Sequence, residues 1–371
     1  MKIPSVDLKA QYQSIRKEID HAIQNVLDES AFIQGPRLEA FENDFAVFCN
    51  APYCAGVGSE TDALYLALKA MGIGVGDEVI TVSLTYIATA EAISFTGATP
   101  VFVDVEPDTM LININQIAAA ITPRTKAIVP VHLYGQMCDM DKILALAKKH
   151  QLKVLEDSAQ AHAAEFKQRR SPISSVAAYS FYPSKNLGAY GDGGAVVTSD
   201  PILYEHVLQQ RDHGRLKGAK YDHAHLGFGF RLDTLQAAIL HVKLKHLEDW
   251  TKRRRKHAEH YTQRLKELVT TPNENEGSHH VYHVYSIRTT KRDGLKDHLA
   301  SAGIDTIIHY PIPIHLQKAY SFLKLKRGTL PITEQCTEEL LSLPMYADLT
   351  EAQVDYVCDR IAEFFRAKGS C

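Results

Sequence analysis

Apolar residues in the first fifty positions recur at helical spacing. Leu8, Tyr12, Ile15, Ile19, Ile23 and Val26 follow one another at three- and four-residue steps, the stripe that one buried helix face requires. Arg37 to Cys49 repeats the pattern until Asn50-Ala51-Pro52 breaks it. From there to residue 200 the chain alternates. Short β-rich runs at Val79–Val82, Pro100–Asp104, Ala127–Val131, Lys153–Glu156, Ala177–Phe181 and Ala195–Val197 are separated by amphipathic stretches such as Thr61–Met71, Asp139–His150 and Pro201–Gln209. Continuous apolar strands between helices predict an α/β protein with a mostly parallel sheet covered on both faces. Two long helices follow, Asp233–Leu247 and Glu248–Leu268. The remainder reads as a smaller α/β domain, with strands at Val281–Arg288 and Asp305–His309 and helices at Leu295–Ala302 and Ala352–Arg366. This pattern places a boundary near residue 250, giving a large domain over 1–250, N-terminal helices included, and a small domain over 251–371.

Composition narrows the function without naming it. A chain of 371 residues suits two domains, and 45% hydrophobic with 23% charged residues is ordinary for a globular protein. The formal charge of -3 gives no global attraction to nucleic acid or an anionic membrane. The one basic run, Lys252-Arg253-Arg254-Arg255-Lys256, has no aromatic platform beside it and reads as a solvated helix face. No apolar run approaches the roughly 18 residues that span a bilayer, and Met1 to Asp7 lacks the layout of a signal peptide. A cytoplasmic protein is expected. The six cysteines are scattered without a Cys-x-x-Cys pair and the histidines contain no His-Glu-x-x-His, so no metal site is predicted.

Gly72-Ile73-Gly74-Val75-Gly76 has the look of a dinucleotide-binding loop. It stands in the wrong place, after a helix and before the strand Val79–Val82, whereas that fingerprint must follow a strand and open a helix. These glycines serve as a helix stop and turn, which argues against an NAD-dependent enzyme.

The chemistry lies between Lys153 and Val197. One strand ends in Glu156-Asp157-Ser158-Ala159-Gln160, so Asp157 points to the carboxyl end of the sheet, where open α/β sheets bind ligands. Further on come Ser180-Phe181-Tyr182-Pro183-Ser184-Lys185-Asn186-Leu187-Gly188 and Gly191-Asp192-Gly193-Gly194. A lysine after a strand, amid small residues and glycine, suits a Schiff-base enzyme: the amine can be desolvated until it is nucleophilic. A carboxylate on the neighbouring strand can keep a pyridine nitrogen protonated and make the ring an electron sink. Gly58-Ser59-Glu60-Thr61-Asp62 opens a helix whose free N–H groups favour a phosphate, although Ser59 or Thr61 would look much the same as a simple N-cap. Thr61 and Ser180 could add hydroxyl donors, and Tyr86, just past a strand, could stack on a planar ring.

With these segments in order the chain closely resembles the DegT/DnrJ/EryC1/StrS sugar aminotransferases. Further matches are Ala31–Pro36, Gly76–Thr81, Pro130–Gln136, Arg231–Ala238, His309–Pro313 and Leu341–Pro344, so the resemblance covers nearly the whole chain. It implies the type I fold of pyridoxal-phosphate (PLP) transferases, with a seven-stranded-type sheet, and a cytoplasmic homodimer with shared active sites. It also implies transfer of an amino group, from L-glutamate, to a nucleotide-linked keto-sugar in amino sugar biosynthesis. By the same resemblance Lys185 carries the cofactor and shuttles a proton. Asp157 pairs with the pyridine nitrogen, Gln160 lies near the ring's phenolic oxygen, and Tyr86 stacks on the ring. Thr61 and Ser180, with the backbone of Ser59 and Glu60, hold the phosphate, and Arg231, His309 and Tyr310 meet the substrate, often across the dimer interface.

Two positions depart from the family pattern. Members commonly carry glycine where this chain has Glu60, and many carry asparagine at Gly229, where it reaches the partner's cofactor phosphate. Glu60 is expected to point outward from the helix start, where negative charge is favoured, while Gly229 has no side chain to offer. Lys185-Asn-Leu-Gly followed by Gly191-Asp-Gly-Gly resembles members that aminate C3 of the sugar, whereas those acting at C4 more often read Lys-x-x-Thr and Gly-Glu-Gly-Gly. A dTDP-3-keto-6-deoxyhexose is the expected substrate. The alternatives are a UDP-3-keto-hexuronate, whose carboxylate Arg231 could face, and a 4-keto-sugar. Relatives that remove a hydroxyl have histidine in place of the lysine, which Lys185 argues against. A PLP-binding regulator without catalysis is the reading from a different class, and the intact Asp157, Gln160 and Lys185 speak against it.

Overall fold

The structure, a computed structural model, describes residues 1–367. Among them, seven strands make one mostly parallel sheet: β1 (Tyr53–Val57), β2 (Glu78–Val82), β3 (Thr99–Val103), β4 (Thr125–Ile128), β5 (Lys153–Val154 continuing as Glu156–Asp157), β6 (Val176–Ser180) and β7 (Gly194–Thr198). Their order is β3-β2-β4-β5-β6-β7-β1. β5 stays in the ladder across Leu155, whose N–H donates to the Ile128 carbonyl (3.1 Å), as Asp157 N–H does to Pro130 (3.0 Å). Only β7 runs antiparallel to its neighbours. Every residue of β2, β6 and β7 is buried, which explains their continuous apolar sequences. Helices Pro36–Phe48, Glu60–Ala70 and Thr234–Leu244 help cover the sheet, and Phe41, Phe45 and Phe181 interlock between the layers at ring distances of 5.3–5.7 Å.

A second core gathers residues from Ala258 to Phe364 and, from the other end of the chain, Ile3. It is built on the helices Leu247–Leu265, Arg292–Ser301 and Glu351–Ala367 and the hairpin Tyr285–Arg288 with Leu340–Leu343. Val281, Val284, Cys336 and Leu340, from the same part of the chain, pack into the large core instead.

Several predicted elements change on folding. The first helical stripe is two helices, Leu8–Ser14 and Arg16–Glu29, broken at Ile15. Asp233–Leu247 ends at Leu244, and a separate helix starts at Leu247. Asp305–His309 is not a strand: only Ile307 makes an isolated bridge, to Ser342, because the segment leaves the sheet to enter the cavity described below. The apolar run at Val281–Arg288 pairs as a strand only from Tyr285, since Val281 and Val284 turn into the large core. The glycines at 72–76 form the turn between a helix and β2, as expected. Cys49, Cys54, Cys138, Cys336 and Cys358 are buried free thiols, and Cys371 lies outside the described residues. Among the described residues no helix is long and apolar enough to cross a membrane.

Candidate active site

The carboxyl ends of β5 and β6, which pair directly at Asp157 and Ala178, bring Asp157 and the Lys185 loop to one end of the sheet. A cavity of ≈ 460 Å³ opens there, lined by Ser59, Glu60, Thr61, Tyr86, Gln160, Ser180, Lys185, His309 and Tyr310 among others. Thus seven of the cavity's residues come from the Ser59–Gln160–Lys185 half of the site predicted above, and two from the segment His309–Tyr310 more than a hundred positions away.

Lys185 sits where an amine becomes reactive. Burial pushes its pKa below the ordinary lysine value, and Glu60 and Asp157 oppose the shift. A depressed pKa leaves more of the neutral, nucleophilic amine. Its loop is tightly wound: a Cβ at Gly188 would stand 2.2 Å from the Pro183 carbonyl oxygen. The loop is also pinned from below by the buried Lys243, which donates to the Gly188 carbonyl (2.6 Å) and lies 4.1 Å from the centre of the Tyr190 ring.

Asp157 is almost wholly buried and held on both oxygens. Thr89 Oγ1 donates to Oδ2 at 2.7 Å, and the Ala159 N–H donates to Oδ1 at 3.3 Å. Beneath it, Glu156 accepts from His132 Nε2 (3.0 Å) and the Ser174 N–H (2.5 Å), which anchors the strand. Gln160 accepts from the Tyr134 N–H (2.6 Å) and donates to the Tyr310 hydroxyl (3.1 Å), so one side chain ties the β5 end to the distal segment. Tyr134 in turn donates its hydroxyl to the His309 carbonyl. His309 is hydrogen-bonded to Ser342 (2.9 Å), and burial, with the Lys185 charge second, pushes it down to about 4, so it is a neutral ring near pH 7.

The helix Glu60–Ala70 begins at the cavity with Ser59 as its N-cap, the Ser59 hydroxyl accepting from the Asp62 N–H (3.1 Å). The cap therefore exists, and Thr61 and Ser180 still line the cavity beside it. Gly194 lets the next strand pass against this turn: a Cβ there would meet the Ser59 carbonyl oxygen at 2.4 Å and the Glu60 nitrogen at 2.7 Å. Gly194→Ala must therefore displace the helix start. Losing one N–H contact to an anion, about 1.5 kcal/mol, corresponds to roughly tenfold weaker binding of a phosphate ester. A fluorescence titration with PLP checks this, and unchanged affinity would separate the helix start from the phosphate seat.

Two predicted residues behave differently. Arg231 does not line the cavity, and its guanidinium is bound to Asp212 at 2.5 Å, so its charge is already compensated within the chain. Glu60 points inward instead of outward: its carboxyl comes within hydrogen-bonding reach of Asp157 and lines the cavity, because the inside of the site offers Lys185 as a counter-charge. Sequence reading also missed Thr89, Tyr182, Ser184, Asp192 and His283. Tyr182 and Ser184 flank Lys185 and could have been suspected; Thr89 and His283 had no local signal.

The residues present fit PLP. An amine faces the cavity, a buried carboxylate lies beyond it for a pyridine nitrogen, a helix start with two hydroxyls lies at one end for a phosphate, and Tyr86 offers a ring 58% exposed.

The sequence profile of the DegT/DnrJ/EryC1/StrS aminotransferase family matches residues 13–362. The chain is 46% identical, over 370 residues, to the dTDP-3-amino-3,4,6-trideoxy-alpha-D-glucose transaminase of Streptomyces venezuelae, covering 98% of this chain and 96% of that one. It is 47% identical over 371 residues to a pleiotropic regulatory protein of Geobacillus stearothermophilus, with 99% of each covered. The solved structure of S. venezuelae DesV in complex with a ketimine intermediate superposes with a TM-score of 0.96 at 45% identity, 98% of both chains being covered.

Proposed function

Because the chain belongs to the DegT/DnrJ/EryC1/StrS aminotransferase family, we infer that its cavity aminates C3 of a nucleotide-linked keto-sugar, a dTDP-3-keto-6-deoxyhexose by our reading. The chain is a PLP-dependent nucleotide-sugar aminotransferase. The observation that carries the site assignment is that two adjacent parallel strands bring the Lys185 loop to one cavity and the buried Asp157 behind it, with a helix N-terminus lining the same cavity. L-Glutamate as donor, a homodimer with shared sites and a cytoplasmic location complete the proposal.

Bound PLP supplies a carbonyl carbon and an electron-accepting ring. Around it the chain's own groups divide the work. The amine of Lys185, kept partly neutral by burial, takes and returns the proton at the substrate carbon. Asp157, fixed by Thr89, holds a proton on the ring nitrogen. The N–H groups opening Glu60–Ala70, with Thr61 and Ser180, bind the phosphate. The neutral His309 and the Tyr310 hydroxyl, anchored through Ser342 and Gln160, orient the sugar. Arg231 does not line the cavity and its charge is compensated by Asp212, which weakens the hexuronate alternative.

The test is an absorbance spectrum of the PLP-loaded protein during addition of nucleotide 3-amino- and 4-amino-sugars, one at a time. The 3-amino compounds are expected to convert the visible band to a near-ultraviolet one, since transamination is reversible. A response confined to the 4-amino series would overturn the C3 reading. The relative named as a regulatory protein favours a second reading, and silence toward every sugar and toward glutamate would support it.

A further inference from the structure

Asp157 is the carboxylate that a pyridine ring must reach, yet it does not line the cavity, although Gln160 and Lys185 on either side of it do. The residue in front of it is Glu60, which lines the cavity and brings its carboxyl within hydrogen-bonding range of the Asp157 carboxyl. Thr89 and Ala159 occupy the other approaches to Asp157.

We propose that Glu60 governs cofactor entry: its side chain caps Asp157, and it must leave that seat before a pyridine ring can pair with the aspartate. This rests on reading the cavity as the PLP site.

The groups facing Glu60 are Asp157 from β5, Lys185 from the loop after β6, and Tyr310 from the C-terminal segment. Two carboxyls in hydrogen-bonding contact, one of them buried, resist ionising together. Burial first, and the Asp157 charge second, hold the Glu60 carboxyl protonated well above the ordinary carboxylate range, with Lys185 opposing. A protonated Glu60 can donate to Asp157 and so occupy the same hydrogen-bonding position that a protonated pyridine would take. The alternative rotamer offers no free escape. Glu60 is the first residue of its helix, so an outward carboxylate stays at the N-terminus that the cofactor phosphate needs. Inward, Glu60 excludes the ring; outward, it repels the phosphate. Either way, the fraction of chains ready for cofactor is reduced, and apparent affinity falls in proportion.

The experiment uses the full chain freed of cofactor and titrated with PLP, following the visible band at equilibrium and its appearance by stopped flow. Glu60→Gly and Glu60→Ala are expected to lower the apparent Kd by about tenfold or more and to speed uptake. Circular dichroism checks that each variant is folded, and the alanine variant covers any loosening of the helix start by glycine. Wild-type binding with both variants equal to it or weaker would overturn the role of Glu60 while leaving the functional reading intact. If neither wild type nor variants take up PLP, the reading of the cavity falls and this inference falls with it.

Discussion

Lys185→Ala is expected to leave a folded protein that has lost its covalent hold on PLP and turns over amino-sugar at least about 10³-fold more slowly, the scale seen when a nucleophile is deleted. The structure explains why no other group would substitute. Lys243 touches the loop, but it lies beneath Gly188, donating to that carbonyl and stacked on Tyr190, so it is held away from the cavity. The neutral ring of His309 lines the cavity but is held by Ser342. Folding should survive, because the Lys185 side chain makes no hydrogen bond that the core depends on, whereas Gly188, Phe181 and Leu187 shape the loop. Two measurements check this: the absence of a visible band with PLP, together with an unchanged thermal midpoint, and single-turnover transamination. Normal transamination by this variant would sink the assignment of Lys185.

Asp157→Asn should keep the cofactor and slow the proton-transfer step by about 10²- to 10⁴-fold, the usual range for removing an acid–base partner. The substitution is nearly isosteric: the Ala159 N–H can still donate to the amide oxygen, and the Thr89 hydroxyl can turn to accept from the amide NH2. What disappears is the negative charge opposite the ring nitrogen. Each pKa unit by which that carboxylate raises the nitrogen is worth about 1.4 kcal/mol, and without it the ring loses its proton and accepts electrons poorly. The expected signature is a kcat loss with PLP affinity changed far less. Near-normal kcat would show that the ring does not depend on the Asp157 charge and would overturn its role.

Much of the molecule was legible in linear order. The alternation of apolar runs with amphipathic stretches predicted the sheet and its covering helices, because burial on two faces leaves a continuous hydrophobic strand and burial on one leaves a helical stripe. The Asp157 and Lys185 segments were readable for the same reason: each is a short stretch at a strand's carboxyl end, and parallel neighbours bring such ends together whatever the rest of the chain does. Folding decided what depends on contacts between distant segments. Thr89 reaches Asp157 across 68 positions, and Tyr310 reaches Gln160 across 150, contacts that no local pattern encodes. Asp305–His309 has the composition of a strand, yet it leaves the sheet to deliver His309 and Tyr310 to the cavity. Two charged residues, Glu60 and Arg231, show the same in electrostatic form. A side chain's identity fixes its charge, but its orientation follows the nearest compensating group, Lys185 beside one and Asp212 beside the other, and only the tertiary structure puts those groups in reach.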